Sequence, residues 1–290
     1  MVKKYAELYL DARNVLMETM DPREAGVQAR QLLAFISGKS HAELIASSDK
    51  YAQDNVIVGM EDAVARLAKG EPMAYVMGEW EFYGLNLVVT PDVLIPRDDT
   101  CALAEIAINQ ALFLEEKPRI LDLCTGSGCV GLAIASRVKD AKVTLADLSR
   151  EALAVAKKNV GMHKMTGRVS CVQVDVLKEP PAFLGQFDMI VSNPPYITSS
   201  EMEELDASVK DFEPHLALWG GTDGLDFYRS ICEKYRKNLK PGGYLCFEFG
   251  DTQADDVCEI LVRNGFTVRN RVRDYNGIER AVIAQYCRED

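Results

Sequence analysis

From Arg119 onward, short apolar runs alternate with helical stretches, and this alternation constrains the fold more than any other feature. Strands are predicted over Arg119–Leu123, Lys142–Ala146, Arg168–Val174, Phe187–Ser192 and Tyr244–Phe249. Helices are predicted over about Cys129–Val138, Arg150–Val160, Gly224–Leu239 and Thr252–Asn264. Strands that alternate with helices imply an α/β class with a doubly wound, mostly parallel sheet. Phe266–Val272 and Arg280–Tyr286 read as a closing β-pair, and Ser199–Trp219 as a polar loop. There is no internal repeat or low-complexity stretch.

The first part of the chain differs. Residues 3–69 read as helical, with breaks at Asp21-Pro22 and Gly38. Helices are expected to about Met20, over Arg23–Ser37, over His41–Ser47 and over Tyr51–Lys69, with Ala25, Val27, Leu32, Leu33 and Phe35 as apolar positions of the second. They suggest a small bundle. Residues 72–93, including Met73–Gly78, are β-rich and predict a hairpin. A helix is expected from about Asp99 to Phe113. The expected division is a helical domain over 1–71 for partner recognition, a hairpin linker over 72–95, and a catalytic domain over 96–290.

One strand ends unusually. Phe187–Ser192 reads as buried and runs directly into Asn193-Pro194-Pro195-Tyr196. Two prolines cannot continue a central strand. They fix φ and bring no N–H, so the carbonyls around them are rigid acceptors without a competing donor beside them. Asn193 adds a carboxamide at the carboxyl end of the strand, where open α/β sheets place their ligands. Tyr196 adds a flat aromatic face. Two acceptors and a stacking wall suit a planar group that carries an NH2. A plain Pro-Pro turn is the bland alternative.

Composition narrows the field. At 290 residues, two domains are expected. A net charge of −11 argues against direct nucleic-acid binding, which draws on Lys and Arg. The eight cysteines form no Cys-x-x-Cys pair and point to a reducing cytoplasm. The three histidines lack metal-ligand spacing, so no metal is expected. No apolar run reaches membrane-spanning length.

Gly126-Ser127-Gly128-Cys129-Val130-Gly131 fits G-x-G-x-x-G between a strand and a helix, and Asp147 ends the next strand near the expected acidic position. A dinucleotide enzyme is therefore one candidate, and an ordinary strand-to-helix turn another. Asp122 stands just before the loop, where it would repel a pyrophosphate but suit a cationic amino group. Asp147 can accept from ribose hydroxyls, and Asp175, at the end of the third strand, from an adenine amino group. Ribose, adenine and a cationic amino-acid tail together describe S-adenosylmethionine.

Asp122-Leu123-Cys124-Thr125-Gly126-Ser127-Gly128 resembles the first motif of class I S-adenosylmethionine-dependent methyltransferases. Asn193-Pro194-Pro195-Tyr196 resembles their amino-group-methylating motif. Gly78–Tyr83, Leu94–Arg97, Val191–Ile197, Phe212-Glu213-Pro214, Arg273-Asp274-Tyr275 and Glu279-Arg280 are similar to the HemK/PrmC family, the peptide chain release factor glutamine methyltransferases. The likeness spans essentially the whole chain. It departs at Cys124, where the family usually has glycine, and at Cys101, where it usually has glutamate.

The resemblance implies methyl transfer from S-adenosylmethionine to the N5 amide of the glutamine in the Gly-Gly-Gln loop of class 1 release factors, with S-adenosylhomocysteine as product. It implies cofactor contacts from Asp122, Cys124, Thr125, Gly126, Ser127, Gly128, Asp147, Leu148, Asp175, Val176 and Asn193. Asn193 and Pro194 would accept the substrate amide hydrogens, Tyr196 would stack on the amide, and Pro195 would shape the wall. The rivals are glutamine methylation of a ribosomal protein, amino methylation of adenine or guanine in nucleic acid, an oxidoreductase, and a catalytically idle binding module.

Overall fold

The computed structural model describes residues 2–114 and 117–287. The chain divides into two units, Met1–Gly78 with Ala207–Phe212, and Glu79–Asp206 with Glu213–Asp290.

In the first unit, helices α1 (Tyr5–Leu16), α2 (Pro22–Ser37), α3 (His41–Ala46), α4 (Asp54–Leu67) and α5 (Met73–Met77) surround a core that includes Leu8, Leu16, Leu32 and Met60. The Asp21 carboxylate accepts from Arg23 N at 2.8 Å and caps α2, with Pro22 in its first turn. Ser40 and Glu43 form a capping box on α3. The buried stripe of α2 is Ala25, Ala29, Leu32 and Leu33, whereas Val27 and Phe35 are 51% and 38% exposed.

Residues 73–77 correct the expected β-rich reading. Met73, Ala74, Tyr75, Val76 and Met77 form α5, closed by Gly78 in the left-handed conformation. Met73, Val76 and Met77 pack against the bundle core, a spacing that only a helix delivers. The Arg66 guanidinium donates to the Tyr75 carbonyl at 3.1 Å and to the Val76 carbonyl at 3.4 Å, satisfying acceptors that the last turn leaves open.

The second unit opens with an antiparallel hairpin, β1 (Glu79–Phe82) and β2 (Leu85–Val88). It continues with α6 (Cys101–Ala111), β3 (Arg119–Leu123), α7 (Cys129–Arg137), β4 (Lys142–Asp147), α8 (Arg150–Met162), β5 (Val169–Gln173) and β6 (Phe187–Ser192). Short helices α9 (Glu201–Glu204) and, in the first unit, α10 (Ala207–Lys210) follow. Then come α11 (Asp226–Lys234), β7 (Leu239–Glu248), α12 (Ala254–Arg263), β8 (Phe266–Arg273) and β9 (Glu279–Tyr286). The seven strands order as β5-β4-β3-β6-β7-β9-β8, with β9 antiparallel to β7 and β8. The other pairings are parallel.

Alternation along each strand fills both faces. Ile120, Met189 and Val191 join one core cluster, beneath α6 to α8. Leu121 and Ile190 join the other, beneath α11 and α12. The winding leaves β3 in one direction through β4 and β5, then returns to β6 on the opposite side. This reversal is a topological switch point, and it opens a crevice at the carboxyl ends of β3 and β6.

β7 starts earlier than expected, at Leu239. Pro241, Gly242 and Gly243 lie in a register irregularity opposite Asp188, the setting in which a sheet tolerates proline and glycine. The segment expected as a plain loop after Ser199 contains α9, α10 and a turn of 3-10 helix at His215–Ala217. Among the described residues, no helix is long and apolar enough to cross a membrane.

Candidate active site

The glycine-rich loop sits at the end of β3. Gly128 caps α7 with φ of 85°, a conformation that a Cβ disfavours. Asp122 is 1% exposed, and its Oδ2 accepts from Thr125 Oγ1 at 2.5 Å and Gly131 N at 2.9 Å. A Cβ on Gly131 would lie 2.2 Å from the Leu145 side chain, so only glycine lets that N–H reach the carboxylate. Burial pushes the Asp122 carboxyl up to about 7, opposed by these two donors and reinforced by the Asp147 charge.

Asp147 Oδ2 accepts from Gly126 N at 2.8 Å and Oδ1 from Ser149 N at 3.0 Å; burial raises its pKa too. Asp175 Oδ1 accepts from Leu177 N at 3.0 Å, and Oδ2 pairs with Lys178 at 3.0 Å. All three strand-end carboxylates thus hold their own loops. Among the described residues, the buried Ser127 Oγ has no hydrogen-bond partner. Cys124, where a glycine was the usual residue, adopts φ of 57°.

The turn after β6 is held from several sides. Ser192 Oγ donates to the Leu123 carbonyl at 2.8 Å, tying β6 to β3. Asn193 Nδ2 donates to Thr100 Oγ1 at 3.3 Å. Ile197 N donates to the Leu218 carbonyl and Gly220 N to the Ile197 carbonyl, both at 2.9 Å. Gln253 Nε2 donates to the Tyr196 carbonyl at 3.0 Å while its Oε1 accepts from Gly250 N at 3.0 Å. Tyr196 leans on the core beneath α11 and α12, and burial pushes its phenol pKa up, so it stays un-ionised.

A cavity of about 240 Å³ lies between these two elements, far larger than the voids of a packed core. Of the residues expected at the site, Asp122, Cys124, Thr125, Gly126, Ser127, Asp147, Leu148, Asp175, Val176, Asn193 and Pro195 line it. Gly128, Pro194 and Tyr196 stand outside that lining. Among the described residues, no group of three or more His, Cys, Asp and Glu side chains is placed to hold a metal.

Further walls had not been expected. Leu94, Pro96 and Arg97 line one side, Pro214–Ala217 and Trp219 another. Glu213 joins them: its side chain is 1% exposed, Oε2 accepts from Ile95 N at 3.2 Å, and Oε1 pairs with Arg97. Arg280 pairs with Asp274 at 3.3 Å and Asp99 at 3.6 Å and fixes the β8–β9 turn beside Thr100. Asn159 is fully buried; its Nδ2 donates to the carbonyls of Val88 at 3.0 Å and Ser127 at 2.9 Å, joining hairpin to glycine-rich loop. The segments that carry Glu213, Asp274 and Arg280 were visible in the sequence, but their partners lie far along the chain. Asn159 gave no signal.

Comparison with known proteins identifies the family. A family model described as the methyltransferase small domain matches residues 104–211, and the PrmC N-terminal domain model matches residues 7–78. A release factor glutamine methyltransferase of Clostridium acetobutylicum is 37% identical over 282 residues, covering 97% of this chain and 98% of the relative. That of Geobacter sulfurreducens is 38% identical over 258 residues, covering 89% and 88%. A Pyrococcus furiosus methyltransferase structure shares the fold at a TM-score of 0.51 and 18% identity, covering 79% of this chain and 100% of that one. The fold is that of the class I S-adenosylmethionine-dependent methyltransferases, as the sequence led us to expect. The chain belongs to the release factor glutamine methyltransferase family.

Proposed function

We propose that the chain transfers a methyl group from S-adenosylmethionine to the N5 amide of the Gly-Gly-Gln glutamine of class 1 release factors. The observation that carries the reading is the placement of Asn193. Its NH2 is turned to Thr100, which leaves Oδ1 for the cavity at the switch point. The reading also draws on what the named relatives are said to methylate.

The residues present fit the cofactor. The cavity combines apolar walls from Leu148 and Val176 with the orphaned Ser127 Oγ and the acidic Asp147 and Asp175. We assign cofactor binding to Asp122, the loop Cys124–Gly128, Asp147, Leu148, Asp175, Val176 and Asn193. When bound, S-adenosylmethionine supplies a sulfonium-activated methyl group and leaves as S-adenosylhomocysteine.

A glutamine amide nitrogen is a weak nucleophile because its lone pair is delocalised into the carbonyl. Asn193 Oδ1 and the Pro194 carbonyl accept its two hydrogens and fix the amide plane, from which the lone pair projects at right angles. Pro195 shapes the wall, and Tyr196 faces the amide plane. Holding nitrogen and methyl in line is the main gain, since orientation alone removes several kcal/mol from a barrier. The two acceptors also stabilise the positive charge that grows on nitrogen. The nitrogen gains the methyl group and then gives up a proton, so no strong base is needed.

The test is transfer of labelled methyl to a release factor and to its variant with alanine at the Gly-Gly-Gln glutamine. Label on the first alone is expected. Label appearing instead on ribosomal proteins or nucleic acid would contradict the assignment.

A further inference from the structure

Glu248 is a charged residue inside an apolar strand. It lies at the end of β7, is 2% exposed, and its Oε2 has no hydrogen-bond partner among the described residues. β6 and β7 run in parallel with Ser192 opposite Phe247, which puts Asn193 and Glu248 in step on neighbouring strands. The Glu248 carboxylate faces the Thr100 hydroxyl and the Asn193 carboxamide. Arg280 and Asp99 are its next charged neighbours, and its charge also reaches Tyr196, Tyr228, Cys101 and Cys129. Nothing in the steps above uses it.

The hydrogen-bond logic is directional. An ionised carboxylate only accepts. Thr100, already accepting from Asn193 Nδ2, can therefore turn its own proton toward Glu248. The reverse rotamer would set Asn193 Oδ1 against the Thr100 lone pairs and the carboxylate, acceptor against acceptor. The arrangement admits one orientation of the Asn193 amide.

We propose that Glu248 is a positioning residue: with Thr100 it grips the Asn193 carboxamide by its NH2 end and aims Oδ1 at the substrate amide. The negative charge behind the carboxamide also polarises Oδ1 and strengthens it as an acceptor for a nitrogen that is becoming positive. A protonated Glu248 can donate, the preference for one rotamer relaxes, and aim is lost. This deepens the proposed function and rests on its reading of Asn193.

Two measurements on the full-length chain separate the two ideas. In the first, selective 15N labelling of asparagine follows the Asn193 side-chain NH2 signals across pH. They are expected to titrate with a midpoint near the Glu248 value of about 7, and to stop titrating in Glu248→Gln. In the second, Glu248→Gln and Thr100→Val lower kcat for release factor by about tenfold or more while S-adenosylmethionine affinity holds. Thr100→Ser, which keeps the hydroxyl, recovers what Thr100→Val loses. Wild-type NH2 signals that neither titrate nor move in Glu248→Gln overturn the proposal whatever the substrate is. So does a Glu248→Gln protein with the wild-type kcat and pH profile. A carboxamide that titrates as expected in a chain that leaves release factor unmethylated upholds the grip on Asn193 and removes only the assigned substrate.

Discussion

Gly220 supports Pro195 from behind: a Cβ on Gly220 would fall 2.6 Å from the Pro195 carbonyl oxygen and 2.7 Å from Tyr196 Cα. Both neighbours are backbone, and the next residue, Ile197, is already bonded to the 218–220 segment. Gly220→Ala must therefore displace the Asn193–Tyr196 turn. Overpacking of this kind costs about 1–3 kcal/mol. Urea unfolding should show that loss, and methyl transfer should fall by about a hundredfold, as expected for a misplacement near 1 Å. Wild-type activity in this variant would mean that the turn's position is not critical.

Asn193→Ala removes one of two proposed acceptors and leaves the glycine-rich loop untouched. Turnover should fall by about a hundredfold or more, the scale for losing one preorganised polar partner. Calorimetry should find S-adenosylmethionine binding weakened far less, because Asn193 is one of many proposed cofactor contacts. Equal losses in both would leave Asn193 with its cofactor contact alone and no separate part in catalysis.

Cys124 holds φ of 57° with a Cβ in place. The left-handed region costs a residue of this kind about 1–2 kcal/mol, and glycine's extra backbone entropy in the unfolded chain is of similar size. Cys124→Gly should thus change stability by less than about 1 kcal/mol. Cys124→Val puts a β-branched side chain in that conformation and should destabilise by about 2 kcal/mol or more. Equal denaturation midpoints for the two variants would show that backbone strain at position 124 is unimportant.

Burial raises two carboxyls to about 7, Asp122 from 3.8 and Glu248 from 4.5. Between the ordinary carboxylate range and about 7, the folded chain holds protons that the unfolded chain has lost. Stability from these groups is therefore present at the acid end of that window and falls as pH rises through it, at most about 1.4 kcal/mol per pH unit for each group. Unfolding free energy measured without ligand should show this downward slope, shallower in Glu248→Gln. An unchanged slope would mean that Glu248 is ionised throughout.

How much of this was legible depends on the range of each interaction. The sheet, the glycine-rich loop and the Asn193 turn were readable because glycine, proline and strand-end aspartate act locally. Met73–Met77 misled because Tyr75 and Val76 favour strands, while packing on the bundle core decides for helix. The walls from Leu94–Arg97 and Pro214–Trp219 were not legible as walls, because Glu213 and Arg97 are 116 residues apart. Glu248 is marked in the sequence as a single carboxylate in the apolar run Tyr244–Phe249, but its partners Thr100 and Asn193 lie far along the chain.

Intact-mass spectrometry of an unmethylated release factor, incubated with the protein and S-adenosylmethionine, tests the central claim most directly. The account predicts a gain of one methyl group, about 14 Da, mapped to the Gly-Gly-Gln glutamine and absent with Asn193→Ala. An unchanged mass, with S-adenosylmethionine bound, would contradict the substrate assignment.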